Sequence, residues 1–221
     1  EAFVRTWSES RPTAFCGVNT LFNGLLYTPG FSEIDFSPLK ITMGGGAPIQ
    51  RAVSEKWQEL TGSYIKEGYG LSETSPILTL HLLTETGYRS GIGVPAPSTY
   101  ISLRDDDGKE VPQGEPGELC ARGPQVMKGY WRQPEATLEA TTEDGYYKTG
   151  DAGFIDEDGY IFIDGRSSDM IKSGANRISP KEIEEVIQEL DEVQEVAVVG
   201  VPDELLGEII KAFIVKRPSA D

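Results

Sequence analysis

The sequence predicts an α/β layer that gives way to a β-rich segment and then to a small α+β unit. Three observations predict this. Strand–helix–strand order with glycine turns fills the chain up to residue 90. From residue 91 short β runs are broken by Asp-Gly turns. After Arg166 a strongly marked helix start leads into two apolar strands. The expected boundaries are therefore 1–90 for the α/β core, 91–165 for the β-rich part and 166–221 for the last unit.

Taken in order, "EAFVRTW" reads as the end of a helix, and the last residues finish a strand and stop, so the chain is expected to be a fragment. "RPTAFCGV" predicts a short strand leading into the helix "NTLFNGLLYTPG", with Asn19 as N-cap and Gly30 past the end. "LKITMGGGAPIQRAVSEKWQELTG" predicts strand, glycine turn and helix, with Pro48 in the first helical turn. Ile49, Val53, Trp57 and Leu60 share one helical face, and Gly62 ends the helix. "SYIKEGYG" predicts a strand parallel to the previous one. "TYISLRDDDGKEVPQGEPGELCARG" predicts a meander turning at Asp107-Gly108, and "GFIDEDGYIFIDG" a hairpin turning at Asp158-Gly159. In "ISPKEIEEVIQEL", Ser179 and Glu182 fit a capping box with Pro180 in the first turn. Ile183, Val186, Ile187 and Leu190 would form the apolar face of that helix.

Composition narrows the function. Thirty-six acidic against 20 basic residues give a net charge of −16 without a basic stripe, which argues against nucleic-acid binding. No apolar run reaches the ~20 residues of a membrane span, and no signal peptide opens the sequence. Cytoplasmic residence is expected, with peripheral membrane contact and a homodimer left open. Cys16 and Cys120 lack CxxC spacing and are expected to be buried free thiols. His81 is the single histidine, which leaves no room for a histidine triad or a histidine-rich metal site; an ordinary surface or core role is expected. "DEDG" at Asp156–Gly159 lacks the glycine that a calcium loop needs at position six, where Ile161 stands, so a hairpin turn is expected.

Four stretches carry chemistry. "GGGAP" at Gly44–Pro48, with Gly45, Gly46 and Ala47 between, sits between strand and helix, where backbone amides can face an anion or a flat ring. It is not a Walker loop, because no G-K-[ST] follows. In "EGYGLSET", Gly68 and Gly70 free the backbone around Tyr69, whose ring can lie on a planar base. Ser72 offers a hydroxyl to a phosphate, and Glu73 is an oxygen ligand suited to Mg²⁺. "KTGD" puts Asp151 after a glycine, where a carboxylate can take ribose hydroxyls. "GR" puts Arg166 within reach of ribose or phosphate. Each of these stretches also has a plain structural reading.

Together, in the order "GGGAP", "EGYGLSET", "GELCARGPQVMKGYW", "YYKTGD" and "GRSSDMIKSGANRISPKEIE", they resemble the adenylate-forming superfamily, which holds acyl-CoA synthetases, luciferases and peptide-synthetase adenylation domains. "GVNTLFNGLL" and "GELCARGPQVMKGYW" are most similar to bacterial long-chain fatty-acid–CoA ligases. The resemblance implies the later part of the large domain followed by part of a small lid domain. It implies a two-step reaction: ATP and a carboxylate give acyl-adenylate and pyrophosphate, and coenzyme A then displaces AMP. By motif position, Tyr69 and Gly44–Ala47 would flank the adenine and the acyl carboxylate, Ser72 would touch phosphate and Glu73 would hold Mg²⁺. Asp151 would hold the ribose with Arg166 beside it. Lys172 would face the nucleotide, and Gly174 would line the path of the pantetheine arm. One departure stands at the hinge: Ser168 occupies a position commonly Asp or Lys in the family.

The family's Ser/Thr/Gly-rich phosphate loop and its C-terminal adenylation lysine are not in these 221 residues, so the chain alone is expected to be inactive. An aryl-CoA ligase or another carboxylate-activating enzyme is the alternative within the superfamily. A non-catalytic nucleotide-binding or interaction module is the alternative outside it.

Overall fold

A computed structural model describes residues 2–174, 176–188, 190, 192–203 and 205–216. It forms two compact units. The first holds the residues up to Tyr100 with Ala121–Thr137 and Asp158–Phe162; the second holds Ile101–Cys120, Leu138–Glu157 and the residues from Ile163 on.

In the first unit, α1 (Ala2–Ser10) precedes β1 (Ala14–Gly17), α2 (Asn19–Leu26), β2 (Ile41–Gly44), α3 (Arg51–Thr61) and β3 (Ile65–Gly70). β4 (Ile77–Leu80) and β5 (Val94–Pro95) complete a five-stranded sheet in the order β1-β2-β3-β4-β5. β1, β2 and β3 are mutually parallel, with Gly17 level with Gly44 and Gly44 level with Glu67. The predicted strand–helix–strand order thus produces the predicted parallel pair, because a helical crossover returns the chain in the same direction. β4 and β5 run antiparallel to their neighbours.

Burial of aromatic side chains holds the helices onto this sheet. Trp57 and Phe22 are fully buried with ring centroids 4.9 Å apart at a steep angle, the edge-to-face arrangement that aromatic quadrupoles favour. Trp7, Phe31 and Phe36 complete the cluster. The indole Nε1 of Trp57 donates to Thr42 Oγ1 at 3.2 Å, so the largest buried side chain leaves no polar atom unpaired.

Two expected helix starts lie elsewhere. The N-cap of α2 is Val18, and Asn19 is already helical; its Oδ1 instead accepts the amide of Gln50, the N-cap of α3, at 3.0 Å. α3 starts at Arg51, three residues after Pro48, because Gln50 before it is extended, at φ −65° and ψ 135°. Gly62 ends the helix as expected, in the left-handed conformation at φ +74°.

β6 (Tyr100–Arg104), β7 (Gly117–Arg122), β8 (Tyr147–Ile155) and β9 (Ile161–Arg166) form a second sheet in that order, with residues assigned to both units; α4 is Pro134–Glu139. The turns fall where the Asp-Gly pairs predict, with Gly108 at φ +77° and Gly159 at φ +82°. β10 (Ile171–Ser173), β11 (Asn176–Ile178), α5 (Pro180–Gln188), β12 (Val193–Asp203) and β13 (Gly207–Lys216) follow in the second unit; their sheet has the order β11-β10-β13-β12.

Ser179 is buried, and its hydroxyl donates to the carbonyl of Asp164 at 2.8 Å, which ties the start of α5 to β9. On α5, Val186 is 67% exposed and Leu190, just beyond the helix, 54%, so the expected apolar face is buried only in part, through Ile183 and Ile187. Of the two cysteines, expected to be buried, Cys120 is and Cys16 is exposed: β1 is an edge strand whose residues alternate between its two faces. No helix among the described residues is long and apolar enough to cross a membrane.

Candidate functional site

The carboxyl ends of β1, β2 and β3 point the same way, and each ends on a glycine: Gly17, Gly44 and Gly70. Ligands of parallel α/β sheets bind at this edge, where the loops open. Gly44 and Gly45 are required by packing. A Cβ on Gly44 would lie 2.6 Å from Ile49 Cγ1 and 2.9 Å from Ile65 Cγ2, and one on Gly45 would lie 2.9 Å from the carbonyl oxygen of Gly68. Gly46 takes φ +78°, the left-handed region that disfavours a side chain. The turn Gly44–Ala47 therefore lies against Gly68 on β3. Its far end is held by Glu67, a buried carboxylate whose Oε1 accepts the amide of Ile49.

Gly68 itself is different. A Cβ there would meet its neighbours at 3.5 Å or more, ordinary van der Waals contact. Tyr69 follows, half-buried and level with Thr79 on β4. Gly70 has no room for a side chain, since a Cβ would fall 1.7 Å from the carbonyl oxygen of Pro76.

A single 3₁₀ turn, Ser72–Thr74, comes next. Thr74 is fully buried; its Oγ1 accepts the amide of Leu71 at 2.9 Å and so closes the turn. This leaves Ser72 exposed and Glu73 half-buried. Oε1 of Glu73 accepts the hydroxyl of Tyr130 at 3.0 Å, and its carbonyl accepts the amide of Met127 at 2.7 Å. Among the described residues, Oε2 of Glu73 has neither a hydrogen bond nor an ion pair.

That donor set fits Mg²⁺. The ion keeps several waters and takes one or two protein carboxylates together with substrate phosphates, so a lone carboxylate with one uncommitted oxygen suffices. No group of three or more His, Cys, Asp or Glu that could hold a metal occurs among the described residues.

The second group of predicted residues lies in the second unit. Thr149, Gly150 and Asp151 fall within β8, and Arg166 is the last residue of β9. Thr149 Oγ1 donates to the carbonyl of Leu119 at 2.8 Å and accepts the amide of Asp151 at 3.1 Å. The amide of Gly150 reaches Glu118 Oε1 at 3.2 Å, and its carbonyl accepts the amide of Ser167 at 2.9 Å. Gly150 stands at φ +75°, and this local kink turns Asp151 toward the end of β9. Asp151 Oδ1 and Arg166 Nη1 are 3.1 Å apart, and the same Nη1 donates to the carbonyl of Thr149 at 3.1 Å. The hairpin thus joins the aspartate and the arginine that the sequence separates by fifteen positions. Arg166 is half exposed and the Asp151 side chain only 12% exposed.

Lys172 lies on β10 with its Nζ 3.4 Å from Asp106 Oδ2, both exposed, and its amide on Glu208 Oε2 at 2.7 Å. Gly174 follows at φ +61°, with its amide on the carbonyl of Leu206 at 2.8 Å. A cavity of about 450 Å³ opens between Asp164–Ile171, α5 and β12, with Arg166, Glu184 and Glu208 in its wall.

Sequence reasoning missed the supports of both groups. Tyr130, Thr149 and Thr74 stand inside or next to the motifs, but what they hold is set by loops that meet in space. Glu67 and Glu118 carried no signal, since a glutamate in a strand reads as solvated. Burial pushes the Cys120 thiol up to about 12, so it stays protonated at neutral pH and is a poor nucleophile.

The chain is similar to proteins already known. Residues 1–131 match the AMP-binding enzyme family, and residues 182–221 match the AMP-binding enzyme C-terminal domain. A long-chain-fatty-acid–CoA ligase of Yersinia pestis is 50% identical over 217 residues, which is 98% of this chain and 38% of that protein. A feruloyl-CoA synthase of an Amycolatopsis species is 36% identical over 97% of this chain and 43% of its own length. Among solved structures, ATP-bound MatB from Rhodopseudomonas palustris superposes with a TM-score of 0.82 at 33% identity, covering 99% of this chain and 43% of that one. The chain thus spans less than half the length of the relatives it matches. The family match over residues 1–131 takes in more than half of the residues, and the chain belongs to the AMP-binding enzyme family.

Proposed function

We propose that this chain works within an ATP-dependent long-chain fatty-acid–CoA ligase, an acid–thiol ligase of the cytoplasm. The observation that carries the reading is the 50% identity, across 98% of the chain, to a protein of that name. In the reaction a carboxylate oxygen displaces pyrophosphate from ATP, giving the acyl-adenylate. The sulfur of coenzyme A then attacks the acyl carbon and AMP leaves.

The residues divide the work. Gly44–Ala47 and Tyr69 form the ledge for the base and the acyl carboxylate. Gly68 supports this, because neither packing nor its backbone angle demands a glycine there. Ser72, exposed beside that ledge, donates to a phosphate. Glu73 offers Oε2 to Mg²⁺. When bound, the cation supplies neutralisation of the phosphate charge. Asp151 accepts the ribose hydroxyls, with Arg166 locking its carboxylate in place. Lys172 meets the nucleotide from the last unit, and Gly174 keeps the pantetheine path open. Residues 165–168 are the hinge on which the part after Arg166 turns, with domain limits at 1–90, 91–165 and 166–221.

Asp151→Ala in the full-length enzyme tests the ribose role. A charged hydrogen bond of this kind is worth about 1.5–3 kcal/mol, so kcat/KM for ATP falls roughly ten- to a hundredfold while KM for the acid stays within about twofold. Unchanged ATP dependence in a folded variant rules the role out. The feruloyl-CoA synthase relative favours a second reading, an aryl-CoA ligase. A pyrophosphate-release assay over a panel of alkyl and aryl acids separates the two.

A further inference from the structure

The segment Met127–Tyr130 holds Glu73 at two points, by backbone and by side chain. The amide of Met127 donates to the Glu73 carbonyl at 2.7 Å, and the hydroxyl of Tyr130 donates to Oε1 at 3.0 Å. Tyr130 is itself fixed. Its amide donates to Thr137 Oγ1 at 2.9 Å, and that hydroxyl donates at 2.9 Å to the carbonyl of Gln133, the residue just before α4. Gly129, at φ +147°, lets the chain pass so close that a Cβ there would lie 2.6 Å from Thr137 Cγ2. A phenol held this firmly fixes one oxygen of the carboxylate and, with it, the direction of the other.

The chemistry of the partner matters as much as its place. A lysine or arginine on Oε1 would orient Glu73 and also neutralise it. A neutral hydroxyl orients it and leaves the full negative charge on the group. A half-buried carboxylate with one oxygen occupied and the other uncommitted among the described residues is suited to binding a cation through a single oxygen. Mg²⁺ demands compact octahedral coordination, whereas Ca²⁺ takes more oxygens and readily uses both oxygens of one carboxylate.

We propose that Tyr130 is a positioning residue that sets Glu73 for one-oxygen binding of the divalent cation and so favours Mg²⁺ over Ca²⁺. The proposal rests on the reading of Glu73 as a metal ligand, and the test separates the two. In the full-length enzyme with ATP, Mn²⁺ affinity is measured by electron paramagnetic resonance, alongside activation curves for Mg²⁺ and Ca²⁺. Tyr130→Phe, which keeps the ring and its packing, lowers Mn²⁺ affinity about three- to tenfold and narrows the Mg²⁺-over-Ca²⁺ preference. Glu73→Gln lowers affinity at least as far, and adding Tyr130→Phe to it costs nothing more, because both act through one carboxylate. Glu73→Asp, which keeps the charge but withdraws it from Tyr130, provides the second arm: it weakens Mn²⁺ binding and makes Tyr130→Phe silent. Affinity within twofold of wild type in Tyr130→Phe, with loss in Glu73→Gln, overturns the role of Tyr130 and spares that of Glu73. Additive losses also overturn it. No effect of Glu73→Gln on Mn²⁺ affinity overturns the metal reading of Glu73 instead.

Discussion

His81 is 3% exposed, with Nε2 2.8 Å from the carbonyl oxygen of Gly91 and its ring 6.0 Å from that of Tyr160. Burial pulls its pKa below the usual histidine range, against the partial opposition of the Gly91 carbonyl and Glu85; Lys66 and Arg89 add to the lowering. The unfolded chain therefore takes up the proton at a higher pH than the folded one. The stability this group contributes is present in full above its unfolded pKa, near 6.5. It is lost as pH falls below that value toward the folded pKa. The slope is at most ~1.4 kcal/mol per pH unit. His81→Gln flattens the fall in urea midpoint between about pH 6.5 and pH 5; an unchanged slope means that other groups carry the acid sensitivity. Asp151 teaches a related lesson at this scale. Its place beside Arg166 was legible from the T-G-D and G-R signals, whereas Thr149 and Glu118, which hold the turn that aims it, were not. Their roles come from strands adjacent in space, and single residues in strands look alike in a sequence.

Among the elements, the β2–turn–α3 passage shows how tightly the ledge is built. Its glycines were legible as a turn, and the parallel pairing of β2 and β3 followed from the helical crossover. The helix start was misplaced because Pro48 suits a first turn, while Glu67 and Asn19 hold Ile49 and Gln50 outside the helix. Gly44→Ala would press a methyl group against Ile49 and Ile65, side chains fixed in the core. Overpacking of this kind costs about 1–3 kcal/mol. At ~2–4 °C per kcal/mol for a chain of this size, the melting temperature falls by roughly 2–12 °C, as calorimetry can read. Gly62→Ala has open space around its Cβ, so a loss there comes from the left-handed backbone at φ +74° and not from overpacking.

For the molecule as a whole, the hinge proposed at residues 165–168 is the feature with most functional weight. Gly165 stands at φ +144°, Ser167 donates its amide to Gly150, and Ser168 Oγ lies on Asp169 Oδ1 at 2.9 Å. Hinges are a few residues that absorb a change in φ and ψ, and proline fixes φ near −65°. Ser168→Pro in the full-length enzyme therefore favours one conformation. It spares one half-reaction, followed as pyrophosphate exchange or as thioester formation from preformed acyl-adenylate, and slows the other at least tenfold. Equal losses in both, or none, count against the hinge.

The sequence by itself determined the element order, the parallel β2–β3 pair, the Asp-Gly turns, the ordered motifs and the family. These are local or near-local signals: glycine where φ is positive, proline and aspartate at turns, and apolar residues at helical spacing. Only the tertiary structure decided which side chain meets which. It set Tyr130 on Glu73, placed Thr149 and Glu118 around the Gly150 turn and gave Asn19 to the start of α3. It also buried Cys120 while exposing Cys16, and left Val186 exposed on a helix whose periodicity promised burial. The physical reason is the same in each case. Hydrogen bonds and burial depend on neighbours brought together by the path of the chain, and a residue's type records what it can do without recording what it will face.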